Sequence, residues 1–200
     1  MVRTFVIAMA NEADAVRPHL RPGDRLVVAG IGKVNAAAAT MKAICDGATE
    51  IWNAGLAGGF DPAMDVGDIY AIESAVEYDF DLATVDGTRV GQLSERTSPY
   101  FPLAPLPRPV PSVLSSRILA TGDRFNDSDA DLSLFRELGA TVRDMEGAAI
   151  AHVCELAGVP CRSFKCISNV IGKGAMTEQF KRNCGRCLEK LGLAAKEILA

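Results

Sequence analysis

Apolar and polar positions follow one another along the chain in two rhythms, and their succession predicts strands and helices in turn. "TFVIAM" is a short apolar run, and Asn11 after it is the expected cap of an amphipathic helix reaching Leu20. "RLVVAG" reads as a second strand and "KVNAAAATMKAICDG" as a helix that stops at Gly47. "EIWNAG", "DIYAIESAVEYD" and "SSRILATG" read as further strands. "SDADLSLFRELG" is a helix with Ser128 as cap and Gly139 as stop. The strand "ATVRDM", the helix "EGAAIAHVCELAG" and the strand "CRSFKCIS" come next. From Thr177 onward, Phe180, Cys184, Leu188, Leu191 and Ala195 mark one face of a closing helix, in which Gly185 is a weak point.

Buried-type strands alternating with helices predict an α/β fold: a three-layer sandwich with a central twisted, mostly parallel β-sheet flanked by helices. No internal repeat or boundary divides the chain, so residues 1–200 are expected to form one domain. "TSPYFPLAPLPRPVPS", 97–112, carries six prolines and interrupts the rhythm. It reads as an extended connection between two strands, and as a polyproline II ligand by composition alone. A loop of this length in a compact domain is often functional, over a pocket or against a partner subunit.

Composition narrows the class. Among 200 residues, 48% are hydrophobic and 23% charged, with a formal charge of −4, so nothing recommends nucleic acid or an anionic membrane as partner. The first apolar run is too short for a signal peptide or a bilayer span, and a cytoplasmic location is expected. The six cysteines then read as reduced thiols. "CGRC" at 184–187 lacks a second ligand pair for zinc and lies inside the last helix, not after an early strand, so it reads as structural.

Two glycine-rich stretches are candidates for ligand contact. "GIGKVN", 30–35, follows a strand and opens a helix, but Asn35 stands where a dinucleotide fingerprint needs its third glycine. "NAGLAGGF", 53–60, reads as a turn at a strand end, where open α/β sheets bind ligands. Taken singly, each is equally a plain turn or a ligand cradle.

Together with "AMANEADAV", "ATGDRFNDSD", "RDMEGAAIAHVCELAGVP" and "KCISNV", these stretches resemble, in order and spacing, the 5′-methylthioadenosine/S-adenosylhomocysteine nucleosidases of the purine nucleoside phosphorylase superfamily. The resemblance spans most of the chain. It implies a cofactor-free, metal-free hydrolase that cleaves the N-glycosidic bond of a 5′-substituted purine nucleoside. It assigns Glu12 as the base that activates water, Glu146 as the carboxylate on the ribose hydroxyls, and Met145 as a sugar contact. Phe125 packs on the purine, while Ala57, Gly58 and Lys165 are further substrate-binding positions. A carboxylate accepts two hydroxyl hydrogens well and stabilises an oxocarbenium-like sugar more than the ground state. Without the resemblance, Glu12 and Glu146 read equally as helix-start acids and Phe125 as a core aromatic. Family members are commonly dimers whose Pro-containing loop borders the neighbour's site, which implies a homodimer and gives 97–112 a role.

Three positions depart from the family pattern. Leu56 replaces a serine, and an apolar side chain there argues against phosphate as nucleophile. Lys165 replaces an arginine, keeping the charge but not the bidentate fork. Asn169 replaces the aspartate that protonates adenine. An amide offers one acceptor and one donor, which complements N7–H and O6 of a 6-oxopurine, as in the futalosine hydrolases. A strand hairpin after Leu20 is also missing. Phosphorolysis, and binding without catalysis, are the alternatives that these departures leave open.

Overall fold

The computed structural model describes residues 2–125 and 130–200. Among them, the alternation appears as β1 (Arg3–Ile7), α1 (Ala10–Val16), β2 (Arg25–Val28), α2 (Lys33–Cys45), β3 (Glu50–Gly59) and β4 (Ile69–Glu77). A short α3 (Ala83–Asp86) and β5 (Phe101–Pro102) follow, then β6 (Val113–Thr121), α4 (Leu132–Glu137) and β7 (Ala140–Asp144). The chain ends with α5 (Gly147–Ala157), β8 (Cys161–Val170) and α6 (Met176–Leu199).

The strands form one mixed eight-stranded sheet. Of its eight pairings, five are parallel and three antiparallel. The pairings β3–β8, β8–β4, β4–β6, β6–β7 and β7–β3 close a ring, with β1 and β2 extending the sheet beyond β3. Strand twist makes such curling natural, and closure removes edges.

Helices cover the sheet on two sides. One core joins Ala36 and Ala43 of α2 and Ala148, Ile150 and Cys154 of α5 to Val6, Ile51 and Leu119 of the strands. The other joins Ala13 and Val16 of α1 and Cys187, Leu191 and Ala195 of α6 to Phe5, Trp52 and Phe164. A third cluster brings Phe135 of α4 against Phe60, Tyr78 and Met176. The stripe expected on α6 faces the second core, and Cys187 of "CGRC" belongs to it, 3.4 Å from the Ile167 carbonyl.

Several local expectations change. Helix α1 starts at Ala10 with Met9 in the cap position, not Asn11. The segment 53–60 is not a turn: β3 runs through it to Gly59, with all ten residues buried. Its glycines serve close approach instead. Helix α4 starts after Asp131, and Ser128, expected as its cap, lies outside the described residues.

The proline-rich segment is fastened down away from the mouth of the fold. The Leu103 and Ala104 amides donate to Glu73 and Cys161 carbonyls, Arg108 donates to the Glu197 carbonyl, and Val110 is buried in the second core. It reaches the C-terminal end of α6.

Candidate active site

The ends of β1, β3, β7 and β8 and the starts of α1, α5 and α6 surround a cavity of about 500 Å³. Of the residues expected to act, Glu12, Ala57, Gly58, Phe125, Met145, Glu146 and Asn169 all line it, as does Leu56. Lys165 is not on the wall, and no residue of 97–112 is either.

Glu12 sits in the first turn of α1 and is 3% exposed. Its Oε1 accepts the Leu56 amide at 2.7 Å and its Oε2 the Met9 amide at 3.1 Å. The close approach to β3 depends on Gly55, where a Cβ would stand 2.8 Å from Glu12 Oε1. Burial raises its pKa, against the lowering effect of the Leu56 amide and the Lys165 charge. A carboxylate so placed has an affinity for protons suited to a base. Leu56 thus contributes its amide to Glu12, while its side chain makes the neighbouring wall apolar.

Glu146 occupies the N-cap position of α5 without capping it. That work is done by Asp144 and Thr121. Asp144 Oδ1 accepts the Glu146 amide at 3.3 Å, Asp144 Oδ2 accepts the Gly147 amide at 2.9 Å, and Thr121 Oγ1 accepts the Ala148 amide at 2.8 Å. Thr121 in turn donates to Asp144 Oδ1 at 2.6 Å. The helix-start amides are therefore satisfied, and the Glu146 carboxylate is left to face the cavity. It accepts the Gly32 amide at 2.9 Å. Gly147 must be glycine, since a Cβ there would meet Leu119 at 2.3 Å and Asp144 at 2.9 Å. "DMEG" is thus a capping device that sets a carboxylate free. Burial, and next to it the charge of Asp144, pushes Glu146 up to about 7.

Lys165 lies behind this wall, 2% exposed, with its ammonium 2.8 Å from Asp144 Oδ2. Burial works to lower its pKa, but Asp144, Glu146 and Glu12 outweigh it, and the net shift is upward. The lysine therefore stays charged and offsets the three buried carboxylates.

Asn169 reaches the cavity through a β-bulge. Ala57 pairs with Ile167 but Gly58 pairs with Asn169, so Ser168 is the extra residue and both Ser168 and Asn169 line the cavity. The Ser168 hydroxyl donates to Asn169 Oδ1 at 2.7 Å, and Asn169 Nδ2 lies 3.4 Å from Met176 Sδ. Phe125 is half exposed at the rim, edge-on to Phe180 of α6 with ring centroids 5.7 Å apart.

Sequence reasoning missed Met9, Ile31, Arg143, Asp144, Ser168, Thr177 and Phe180, all on the cavity wall. Asp144 had a readable signal, an acid three residues before a helix start. Ser168 had none, because a bulge leaves no trace in the apolar period.

Comparison with known proteins bears on this arrangement. The family model described as the phosphorylase superfamily matches residues 25–200. A 5′-methylthioadenosine/S-adenosylhomocysteine nucleosidase of Marinomonas is 35% identical over 161 residues, 74% of this chain and 68% of that protein. An aminodeoxyfutalosine nucleosidase of Campylobacter jejuni is 29% identical over 159 residues, covering 75% of this chain and 69% of its own. Among solved structures, the Colwellia psychrerythraea 5′-methylthioadenosine/S-adenosylhomocysteine nucleosidase in complex with adenine superposes with a TM-score of 0.83 at 25% identity, covering 100% of this chain and 93% of that one. The futalosine hydrolase of Helicobacter pylori shares the fold, with a TM-score of 0.85 at 20% identity over 100% of this chain and 97% of its own.

Proposed function

The chain belongs to the phosphorylase superfamily, as a member like the 5′-methylthioadenosine/S-adenosylhomocysteine nucleosidases, and on that footing we propose that it hydrolyses the N-glycosidic bond of a 5′-substituted purine nucleoside. The observation that carries the reading is the convergence of two buried carboxylates on one cavity, each held by a backbone amide: Glu12 by Leu56 and Glu146 by Gly32.

In this reading Glu146 accepts the ribose hydroxyls, Met145 lies against the sugar, and Phe125 covers the base. Glu12 takes a proton from the attacking water. As the sugar becomes cationic the carboxylate of Glu146 binds it more tightly, which accelerates the step and not merely the binding. Ala57 and Gly58 let the nucleoside approach the β3 backbone. Lys165 acts from behind, through Asp144. Water is favoured over phosphate because the Leu56 side chain offers a phosphate oxygen no partner.

A homodimer is supported by the outer face of α2. Val34, Ala38, Met41 and Cys45 are all exposed and follow one another at helical spacing, with Val34 80% and Met41 42% exposed. Ile31, 52% exposed, joins that stripe to the cavity wall. A cytoplasmic setting is supported by the free cysteines. No helix among the described residues is long and apolar enough to cross a membrane.

The test is release of free purine from 5′-methylthioadenosine and from its 6-oxo analogue, by the wild type and by Glu12→Gln. The wild type is expected to release base and the variant to bind without turnover. If neither nucleoside were cleaved while both bound, the protein would be a binding homologue instead.

A further inference from the structure

Glu146 is held at the cavity by a loop from a distant part of the chain. Residues 29–32 join β2 to α2, and the Gly32 amide donates to Glu146 Oε1 at 2.9 Å. The next amide, that of Lys33, donates to Asp123 Oδ1 at 2.8 Å. Both lie at the head of α2, where helix geometry leaves amides without a partner inside the helix. Two consecutive amides are thus divided between two carboxylates, one on the cavity wall and one outside it. Gly32 makes the division possible. Its φ is +100°, which side chains rarely adopt, and a Cβ there would stand 3.1 Å from Asp123 Oδ1.

The Lys33 side chain fastens the same corner. Its ammonium lies 2.6 Å from Asp79 Oδ1 and 3.2 Å from Glu77 Oε2, beside the end of β4. Asp79 Oδ2 in turn accepts the Asp123 amide at 2.9 Å. The bonds close a circuit: the Lys33 amide on Asp123, the Asp123 amide on Asp79, and Asp79 on the Lys33 ammonium. Burial works to lower the pKa of Lys33, but Asp79 and Glu77 outweigh it, and the net shift is upward. The lysine stays charged and the circuit stays closed.

Two walls of the cavity meet in this circuit. One residue back from Lys33 is Gly32, which holds Glu146, and two residues on from Asp123 is Phe125, on the rim. Resting on the glycosidase reading, we propose that Lys33 and Asp123 are positioning residues for Glu146. Neither is on the cavity wall, so neither touches the nucleoside. They fix the Gly32 amide, and through it the carboxylate, where the ribose hydroxyls arrive. They also set the rim that carries Phe125 at a constant distance from that carboxylate. A shift of about 1 Å in such a group can cost on the order of a hundredfold in rate.

The experiment measures kcat/KM for 5′-methylthioadenosine and its 2′-deoxy analogue in the wild type, Asp123→Ala, Asp123→Asn and Lys33→Met. A general loss of activity lowers both substrates alike, whereas a misplaced Glu146 lowers chiefly the one bearing the hydroxyl that it binds. Asp123→Ala and Lys33→Met should therefore reduce the ribo-to-deoxy ratio by roughly ten- to a hundredfold relative to the wild type. Asp123→Asn should keep most of the ratio, because its amide oxygen still accepts from Lys33. Asp123 is exposed, so its variants are expected to fold, and Lys33→Met tests the circuit from its other side. An unchanged ratio in folded Asp123→Ala or Lys33→Met overturns the assignment and leaves the glycosidase standing, as does an Asp123→Asn as impaired as Asp123→Ala. A wild type that cleaves neither nucleoside overturns the glycosidase reading, and this inference with it.

Discussion

The ammonium of Lys165 lies 2.8 Å from Asp144 Oδ2, and the two side chains are only 2% and 1% exposed. This buried pair ties β8 to the head of α5, because the same Asp144 holds the amides of Glu146 and Gly147. Removing one partner of such a pair leaves an uncompensated buried charge, at a cost of about 3–5 kcal/mol. Lys165→Met is therefore expected to lose about that much stability in urea unfolding, and with it the placement of Glu146. Lys165→Arg restores the charge and should recover most of both. Wild-type stability in Lys165→Met would show that the pair is dispensable.

Gly55 makes room for the base. A methyl group there would come within 2.8 Å of Glu12 Oε1, at the free end of a flexible side chain. The carboxylate can move aside only by giving up its bond to the buried Leu56 amide, and the water it activates loses its alignment. Gly55→Ala should thus lose about 1–3 kcal/mol of stability, read as a lowered Tm, and on the order of a hundredfold in kcat. A variant with wild-type kcat would mean that Glu12 is not the base.

The helices were legible because each buries one periodic face, and the central strands because they are short apolar runs buried on both faces: α6 shows Leu191 and Ala195 in the core where the spacing requires them, and β3 is buried throughout. Glu12, Glu146 and Asn169 were legible through short motifs. What lay beyond reading depends on contacts between distant segments. The retreat of Lys165 behind the wall follows from its pairing with Asp144, some twenty residues earlier and on another strand. The bulge at Ser168 is a fact of register, and register cannot be read from one strand alone. "NAGLAGGF" reads as a turn by its glycines, yet those glycines sit in a central strand because Glu12 and Asn169 need the space.

Glu146 should be a liability to stability at neutral pH. Its pKa in the fold is about 7, above the ordinary 4.5, so the native state holds the proton more tightly than the unfolded chain. Below the lower value the group is protonated in both states and costs nothing. As pH rises from 4.5 through about 7, stability falls, and above that window the full penalty is present. Its size is of order 3 kcal/mol. Glu146→Gln is expected to match the wild type near pH 4 and to exceed it near pH 8 by up to about that amount, read from denaturant midpoints, while losing ribose binding. Equal midpoints near pH 8 would show that the carboxylate is not strained by its site.

Whether water or phosphate attacks the sugar is decided by product analysis with the wild-type enzyme in the absence and presence of phosphate. The rate of base release is expected to be unaffected by phosphate and the sugar to appear free, because Leu56 presents an apolar side chain and gives its amide to Glu12. A rate that rises with phosphate, with a sugar 1-phosphate as product, would contradict that expectation.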